Sequence, residues 1–272
     1  MAVSAADAAF VRELVLRRSA IKLDEAKDYL IEMRLAPLLA ENGAESIAAL
    51  IGKARQGDRG VDTQIIEAIT THETSFYRDI APFETLQKVL LPALKVSRNA
   101  TRQLSIWCAA CSSGQEPYSI AMLLLEHFPD IASWPVRIIA TDLSERVIAR
   151  AQMARFTQMD VNRGLPAAQL VKYFERHGTH WQLKPMVRQL VQFKALNLLD
   201  THSFPIRPDI IFLRNVLIYF DVPTKRKILD RVREIIAPGG ALFLGAAETT
   251  LNVAEGWERI ADGRHSYYVG KP

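Results

Sequence analysis

The chain has 272 residues, with 34 Lys and Arg against 30 Asp and Glu for a net charge of +4, and is 49% hydrophobic and 24% charged. These are the proportions of an ordinary soluble globular protein with room for one large domain or two unequal ones. Its longest apolar runs, such as Ala121–Leu125, are too short to span a bilayer. The opening MAVSAADAAFVRELVLRR carries an early acid and lacks the order of a signal peptide, so the expected location is cytoplasmic.

Residues 1–70 read as a helical domain. Apolar residues at Phe10 and Leu14, then Ala26, Leu30, Met33 and Leu38, recur at three- and four-residue spacing with charges between them. Asn42-Gly43 and Gln56–Gly60 break the helices, and no strand is expected before Leu104. Arg12, Arg17, Arg18, Lys22, Lys27, Arg34, Lys53, Arg55 and Arg59 make this part basic. Such a field attracts nucleic acid, anionic lipid or an acidic protein, or is simply a solvated helix face; the sequence leaves these open.

Residues 71–100 form a junction. It begins in the polar stretch Thr70–Asp79, TTHETSFYRD, which interleaves Phe76 and Tyr77 with His72, Thr74 and Arg78. One reading is a helix start capped by Thr71, with Thr74 and Ser75 near the first turn. The other is an anion clamp built on Arg78.

Residues 101–272 carry a strand–helix rhythm. Leu104–Trp107 is a short apolar run suited to a buried strand. The small residues Ala109–Gly114 that follow allow a tight turn and close approach of a ligand. Glu116 and Pro117 then open a helix. The loop has one glycine where a dinucleotide fingerprint needs three, and lacks the Lys-Ser/Thr of a triphosphate loop. Val136–Thr141 is the next strand and ends at Asp142, where a carboxylate suits ribose hydroxyls. A nucleoside without a phosphate chain is therefore expected, and S-adenosylmethionine fits.

A helix capped by Ser144 follows. From about 156 to 190 the rhythm breaks, which marks an inserted subdomain of short strands whose Arg176, Lys184 and Arg188 meet an acidic partner or lie on the surface. It resumes with Val191–Ala195 and Asn197, then with Asp209–Leu213 leading into Arg214-Asn215. A helix from Pro223 to Ile236, a strand Ala241–Leu244 and an edge strand Ser266–Val269 complete a doubly wound α/β sheet of four or five parallel strands. Glu116, Asp142, Asn197 and Asn215 would then gather at the carboxyl ends of the strands. Cys108 and Cys111 are spaced C-x-x-C, but no second Cys/His pair completes a metal site, so they are expected to pack beside the loop.

Taken in order, THETSFYRD, WCAACSSGQEPYSIAM, ATD, LNLLD, FLRNVLIYFD and the Pro-Gly-Gly ahead of LFLGAAE resemble the CheR family of bacterial chemoreceptor methyltransferases. The resemblance covers nearly the whole chain. It implies a Rossmann-like S-adenosylmethionine-dependent methyltransferase sheet domain, an N-terminal all-α domain and a small inserted β-subdomain. It also implies methyl transfer to receptor glutamate carboxylates, giving γ-glutamyl methyl esters for chemotactic adaptation. The cofactor-binding residues it implies are His72, Thr74, Arg78, Glu116, Asp142, Asn197, Leu198, Arg214 and Asn215. Arg78 and Tyr219 would lie beside the reacting groups.

No metal is implied. The partners implied are the cytoplasmic domains of methyl-accepting chemoreceptors; nucleic acid and membrane insertion are not expected, and the protein is expected to be a monomer. His72 stands where many relatives have Asn, and Gln115 where Glu is common. The loop around Gly178 looks shorter than in relatives that bind a receptor tail, so no tethering pentapeptide is expected to be needed. Two rival readings are a non-catalytic S-adenosylmethionine-binding sensor that docks on receptors and a methyltransferase of another acceptor. Asn215-Val216-Leu217-Ile218-Tyr219 lacks the Pro-Pro of base-amine methyltransferases, which argues against a nucleic-acid acceptor.

Overall fold

The computed structural model describes residues 3–70, 73–200, 204, 206–263 and 265–271. The chain divides into two compact units, Met1–His72 with Tyr219–Thr224, and Glu73–Ile218 with Lys225–Pro272. None of the helices among the described residues is long and apolar enough to cross a membrane.

The first unit is helical throughout its described residues, with helices Ala5–Ser19, Tyr29–Leu35, Leu38–Glu41, Ile47–Arg55 and Arg59–Ile69. The Ser4, Ser46 and Asp58 side chains accept N–H groups of the first turns that follow them, which fixes three of the starts. Leu14 and Leu38 are buried as expected, but the rest of the core stripe lies elsewhere. Ala8, Val11, Leu14 and Val15 are buried on the first helix, with Phe10 only half-buried under the Arg55 guanidinium. After it, Ile31, Leu35 and Leu38 are buried while Ala26 and Met33 are exposed. The cause is a break: Glu25–Lys27 is a 3₁₀ turn, so helical spacing counted from Ala26 does not carry into the next helix.

The second unit is built on a seven-stranded sheet. Its strands in chain order are β1 Leu104–Ala109, β2 Val136–Asp142, β6 Val191–Ala195, β7 Ile210–Leu213, β8 Ala241–Leu244, β9 Trp257–Asp262 and β10 His265–Gly270. Between β2 and β6 the chain forms a separate three-stranded antiparallel sheet from β3 Arg155–Thr157, β4 Phe174–His177 and β5 His180–Leu183, with β5 central. Only Gly178 and Thr179 connect β4 to β5. Arg176, Lys184 and Arg188 of this region donate to the carbonyls of Gly178, Lys172 and Gln152, so all three are tied into their own fold.

The large sheet runs β6-β2-β1-β7-β8-β10-β9. Its first five strands are parallel, and β10 and β9 pair antiparallel beyond β8. Every residue of β1, β7 and β8 is buried, as expected of strands covered on both faces. The Ser266–Val269 strand, expected at an edge, is instead flanked on both sides by β8 and β9. Strand β9 is the true edge; of its described side chains only Trp257 is buried, and WERIAD carries no apolar–polar alternation to signal a strand.

The chain leaves β1 toward β2 and β6, then crosses back to β7 on the other side of β1. Strand order therefore reverses between β1 and β7, which opens a crevice at their carboxyl ends.

Candidate active site

The loop after β1 is conformationally costly. Ala110 (φ +55°), Ser112 (φ +51°) and Gly114 (φ +90°) are all left-handed, and non-glycine residues hold such angles only where the surroundings over-determine them. At Gly114 the requirement comes from packing as well as φ: a Cβ would lie 3.1–3.2 Å from Phe193, Tyr118 and Ala151. The fold itself therefore requires this glycine. The Asp142 carboxylate holds the loop, accepting from Ser112 N at 2.9 Å and from Ser144 N at 3.1 Å. The Asp142 carbonyl accepts from Leu196 N at 2.8 Å, which joins the ends of β2 and β6. There the Asn197 side chain accepts from Leu199 N at 3.0 Å, and Leu198 is buried.

Glu116 sits in the first turn of the Gln115–His127 helix. Its carboxylate accepts from Arg214, just beyond β7, at 2.7 Å. The Arg214 guanidinium also donates to the Asp79 carboxylate and the Arg78 carbonyl, each at 2.8 Å, and lies over the Phe83 ring. Its side chain is 2% exposed, and a buried charge of this kind is tolerable only when paired. Burial pushes the Glu116 carboxyl above the ordinary range, against the pull of Arg214. The Arg214 Nε–H is buried without a hydrogen-bond partner.

The 73–80 segment is not a helix start; the helix begins at Ala81, and no side-chain cap forms at Ile80. Tyr77, Asp79 and Ile80 all have positive φ. What holds the segment is far away in sequence. Phe76 is fully buried and meets the Phe156 and Phe174 rings edge-on. The Tyr77 hydroxyl donates to Gln169 at 2.6 Å, Arg163 pairs with Glu73 at 3.0 Å, and Gly164 abuts the Phe76 carbonyl. The inserted subdomain therefore clasps the segment that presents Arg78. The Arg78 guanidinium in turn donates to the Glu73 carbonyl at 2.7 Å.

Of the residues singled out in the sequence, Glu116 and Arg214 thus meet in one ion-paired cluster, which Arg78 joins only through its backbone carbonyl, while Asp142 and Asn197 line the neighbouring strand ends. Thr74 is half-buried four residues before Arg78. His72 lies outside the described residues. Tyr219 belongs to the first unit, where it is half-buried and its carbonyl accepts from Lys22 N at 3.1 Å. Two acids were missed. Asp79 stands beside Arg78 in the motif and binds Arg214. Glu248, the last residue of LFLGAAE, accepts backbone N–H groups of Asn215, Val216, Ile218 and Gly245. An acid close behind a buried strand, on the side where the other candidates gather, was the available signal. Cys108 and Cys111 are free and buried, and burial pushes both thiols well above their usual range, which makes them inert packing residues.

The family model described as CheR methyltransferase, SAM binding domain, matches residues 72–266, and the CheR methyltransferase all-alpha domain matches residues 6–70. The chain belongs to the CheR methyltransferase family. Chemotaxis protein methyltransferase 1 of Pseudomonas aeruginosa is 37% identical over 265 residues, covering 96% of each chain. Chemotaxis protein methyltransferase Cher2 of Pseudomonas putida is 37% identical over 245 residues, covering 88% of this chain and 89% of that one. A chemotaxis protein methyltransferase of Vibrio parahaemolyticus is 36% identical over 245 residues, covering 88% of each.

The CheR sheet domain is a binding domain for S-adenosylmethionine, and the chain is a methyltransferase dependent on it. The side chains at the crevice fit that cofactor. Carboxylates of Glu116 and Asp142 suit its ammonium and ribose hydroxyls, and the guanidinium groups suit its carboxylate. The orphaned Arg214 Nε–H is a donor awaiting an acceptor.

Proposed function

We propose that this CheR protein methylates glutamate side-chain carboxylates of chemoreceptors in the cytoplasm, forming γ-glutamyl methyl esters. The observation that carries the reading is the buried Glu116–Arg214 pair at the β1/β7 crossover, joined by the more exposed Asp79 and tied through the Arg78 carbonyl to the segment bearing the Arg78 guanidinium. When bound, S-adenosylmethionine supplies an electrophilic sulfonium methyl.

The chain's own residues bind and orient. Asp142 receives the ribose hydroxyls, Glu116 the ammonium, and Asn197, Leu198, Asn215 and Thr74 complete the enclosure, with His72 assigned to the same set. Arg214 holds Glu116 and the backbone of Arg78 in register. The Arg78 guanidinium orients the acceptor carboxylate through paired hydrogen bonds, and the Tyr219 hydroxyl contributes one more. A glutamate with an ordinary pKa of about 4.3 is already ionised at neutral pH, so no residue has to remove a proton. Excluding water strips the carboxylate of solvation and raises its reactivity. Acceptors are the cytoplasmic domains of methyl-accepting receptors, and the two-residue β4–β5 loop accords with docking that needs no receptor-tail pentapeptide.

The test is transfer of labelled methyl from S-adenosylmethionine to receptor-bearing membranes, followed by mild alkali. Label in protein that leaves as methanol supports the ester. Label that resists alkali rules out this acceptor chemistry; none despite cofactor binding favours the non-catalytic sensor or membranes that lack the cognate receptor.

A further inference from the structure

We propose that Glu248 is a positioning residue of the cofactor site, holding the turn that carries Arg214 and Asn215 in its binding geometry; the proposal rests on the cofactor reading above. One carboxylate satisfies four backbone donors from two strand ends. Its Oε2 accepts from Gly245 N at 2.6 Å and Asn215 N at 2.8 Å, while Oε1 accepts from Val216 N at 2.8 Å and Ile218 N at 3.3 Å. The ends of β7 and β8 are thereby tied together beyond the last ladder pair, Leu213 with Leu244.

The turn needs the tie. Asn215 is left-handed at φ +58°, a conformation that Asn tolerates but does not prefer. Arg214 immediately precedes it and must direct a buried guanidinium at Glu116 and Asp79. Gly245 shows how closely the two ends approach: a Cβ there would lie 2.8 Å from the Asn215 backbone nitrogen, and 2.7 Å from both the Asn215 side-chain nitrogen and the Glu248 carboxylate.

The charge of Glu248 has the opposite influence, because it disfavours the ionised form of Glu116. The two roles therefore predict opposite signs. If Glu248 acted on the site only as a charge, neutralising it would leave cofactor affinity unchanged or tighter. If it positions the turn, Glu248→Gln weakens affinity. An amide has one accepting oxygen and turns its NH₂ toward one of the two donor pairs.

The experiment is calorimetric titration of the full-length protein with S-adenosylhomocysteine, well below the unfolding temperature, with kcat and KM for S-adenosylmethionine measured alongside. Lost charge-assisted hydrogen bonds of this kind correspond to about tenfold or more in affinity. Glu248→Gln is expected to raise Kd and KM by that factor, with kcat changed much less. Amide exchange at Asn215, Val216 and Gly245 should also quicken. Glu248→Asp keeps both oxygens but shortens the reach, so it should fall between; it also serves if the Gln variant does not fold. Unchanged or tighter binding in both variants, with normal binding by the parent protein, overturns the positioning role. Absence of binding by the parent overturns the cofactor reading, and this proposal with it.

Discussion

Arg214→Ala is the most informative single change in the buried cluster. Two ion pairs are lost, but they are not equal. Asp79 is 37% exposed on its side chain and relaxes into water, so its pair is worth at most about 1 kcal/mol. Glu116 is only 13% exposed and would be left as an uncompensated buried carboxylate. Removing one partner of such a pair costs about 3–5 kcal/mol. For a unit of this size about 2–4 °C of Tm follows each kcal/mol, so a fall of about 6–20 °C is expected.

The sign of the pH dependence is also fixed. In the variant the Glu116 pKa, already raised by burial, rises further without its cation. A carboxyl whose folded pKa is raised contributes stability below its unfolded pKa, and loses it as pH rises through the folded one. The deficit of Arg214→Ala relative to the parent should therefore shrink on mild acidification and widen toward alkaline pH. Adding Glu116→Gln removes the stranded charge and should recover about 1–3 kcal/mol. Urea unfolding of the four proteins of this cycle at two pH values is the assay. A loss under about 1 kcal/mol for Arg214→Ala, or strict additivity in the double variant, would refute this account of the cluster.

Three further outcomes are expected. Arg78→Ala should abolish turnover and Tyr219→Phe reduce it severely; near-normal rates in steady-state assays of both would show that neither residue attends the reacting groups. Gly164→Ala should destabilise by about 2 kcal/mol or more, because its Cβ would sit 2.0 Å from the Phe76 carbonyl at φ +83°; chemical unfolding measures the loss, and turnover should fall with it, since Phe76 anchors the Arg78 segment. Cofactor-product affinity should decline on acidification beginning above the ordinary Glu116 range, as protonation releases Arg214, and Glu116→Gln should flatten that limb; a titration series across mildly acidic pH decides.

The sheet was legible where burial is two-sided. Leu104–Trp107, Val136–Thr141, Asp209–Leu213 and Ala241–Leu244 are apolar runs bounded by turn residues, and each is a strand within one or two residues of its expected limits. Strand β9 was not legible, because Glu258, Arg259 and Asp262 break any apolar alternation and a mostly solvated edge strand then reads as a loop. The stripe at Ala26 and Met33 failed because a 3₁₀ turn resets helical phase. At the candidate site, Glu116 and Asp142 stand out in the sequence because acids at the ends of buried strands have few structural reasons to be there, whereas Arg214 is singled out only by the family resemblance. The 73–80 segment could not be decided from its own residues. Its conformation is set by Phe156, Gly164, Gln169 and Phe174, roughly ninety residues downstream, and local sequence carries no record of such contacts.

The central claim is that the β1/β7 crossover holds the cofactor. Backbone amide exchange with and without S-adenosylhomocysteine tests it most directly. Protection should concentrate at Ser112–Glu116, at Asp142–Ser144, around Asn197 and Leu198, and at Arg214–Val216. Binding that protects other segments and leaves these unchanged would contradict it.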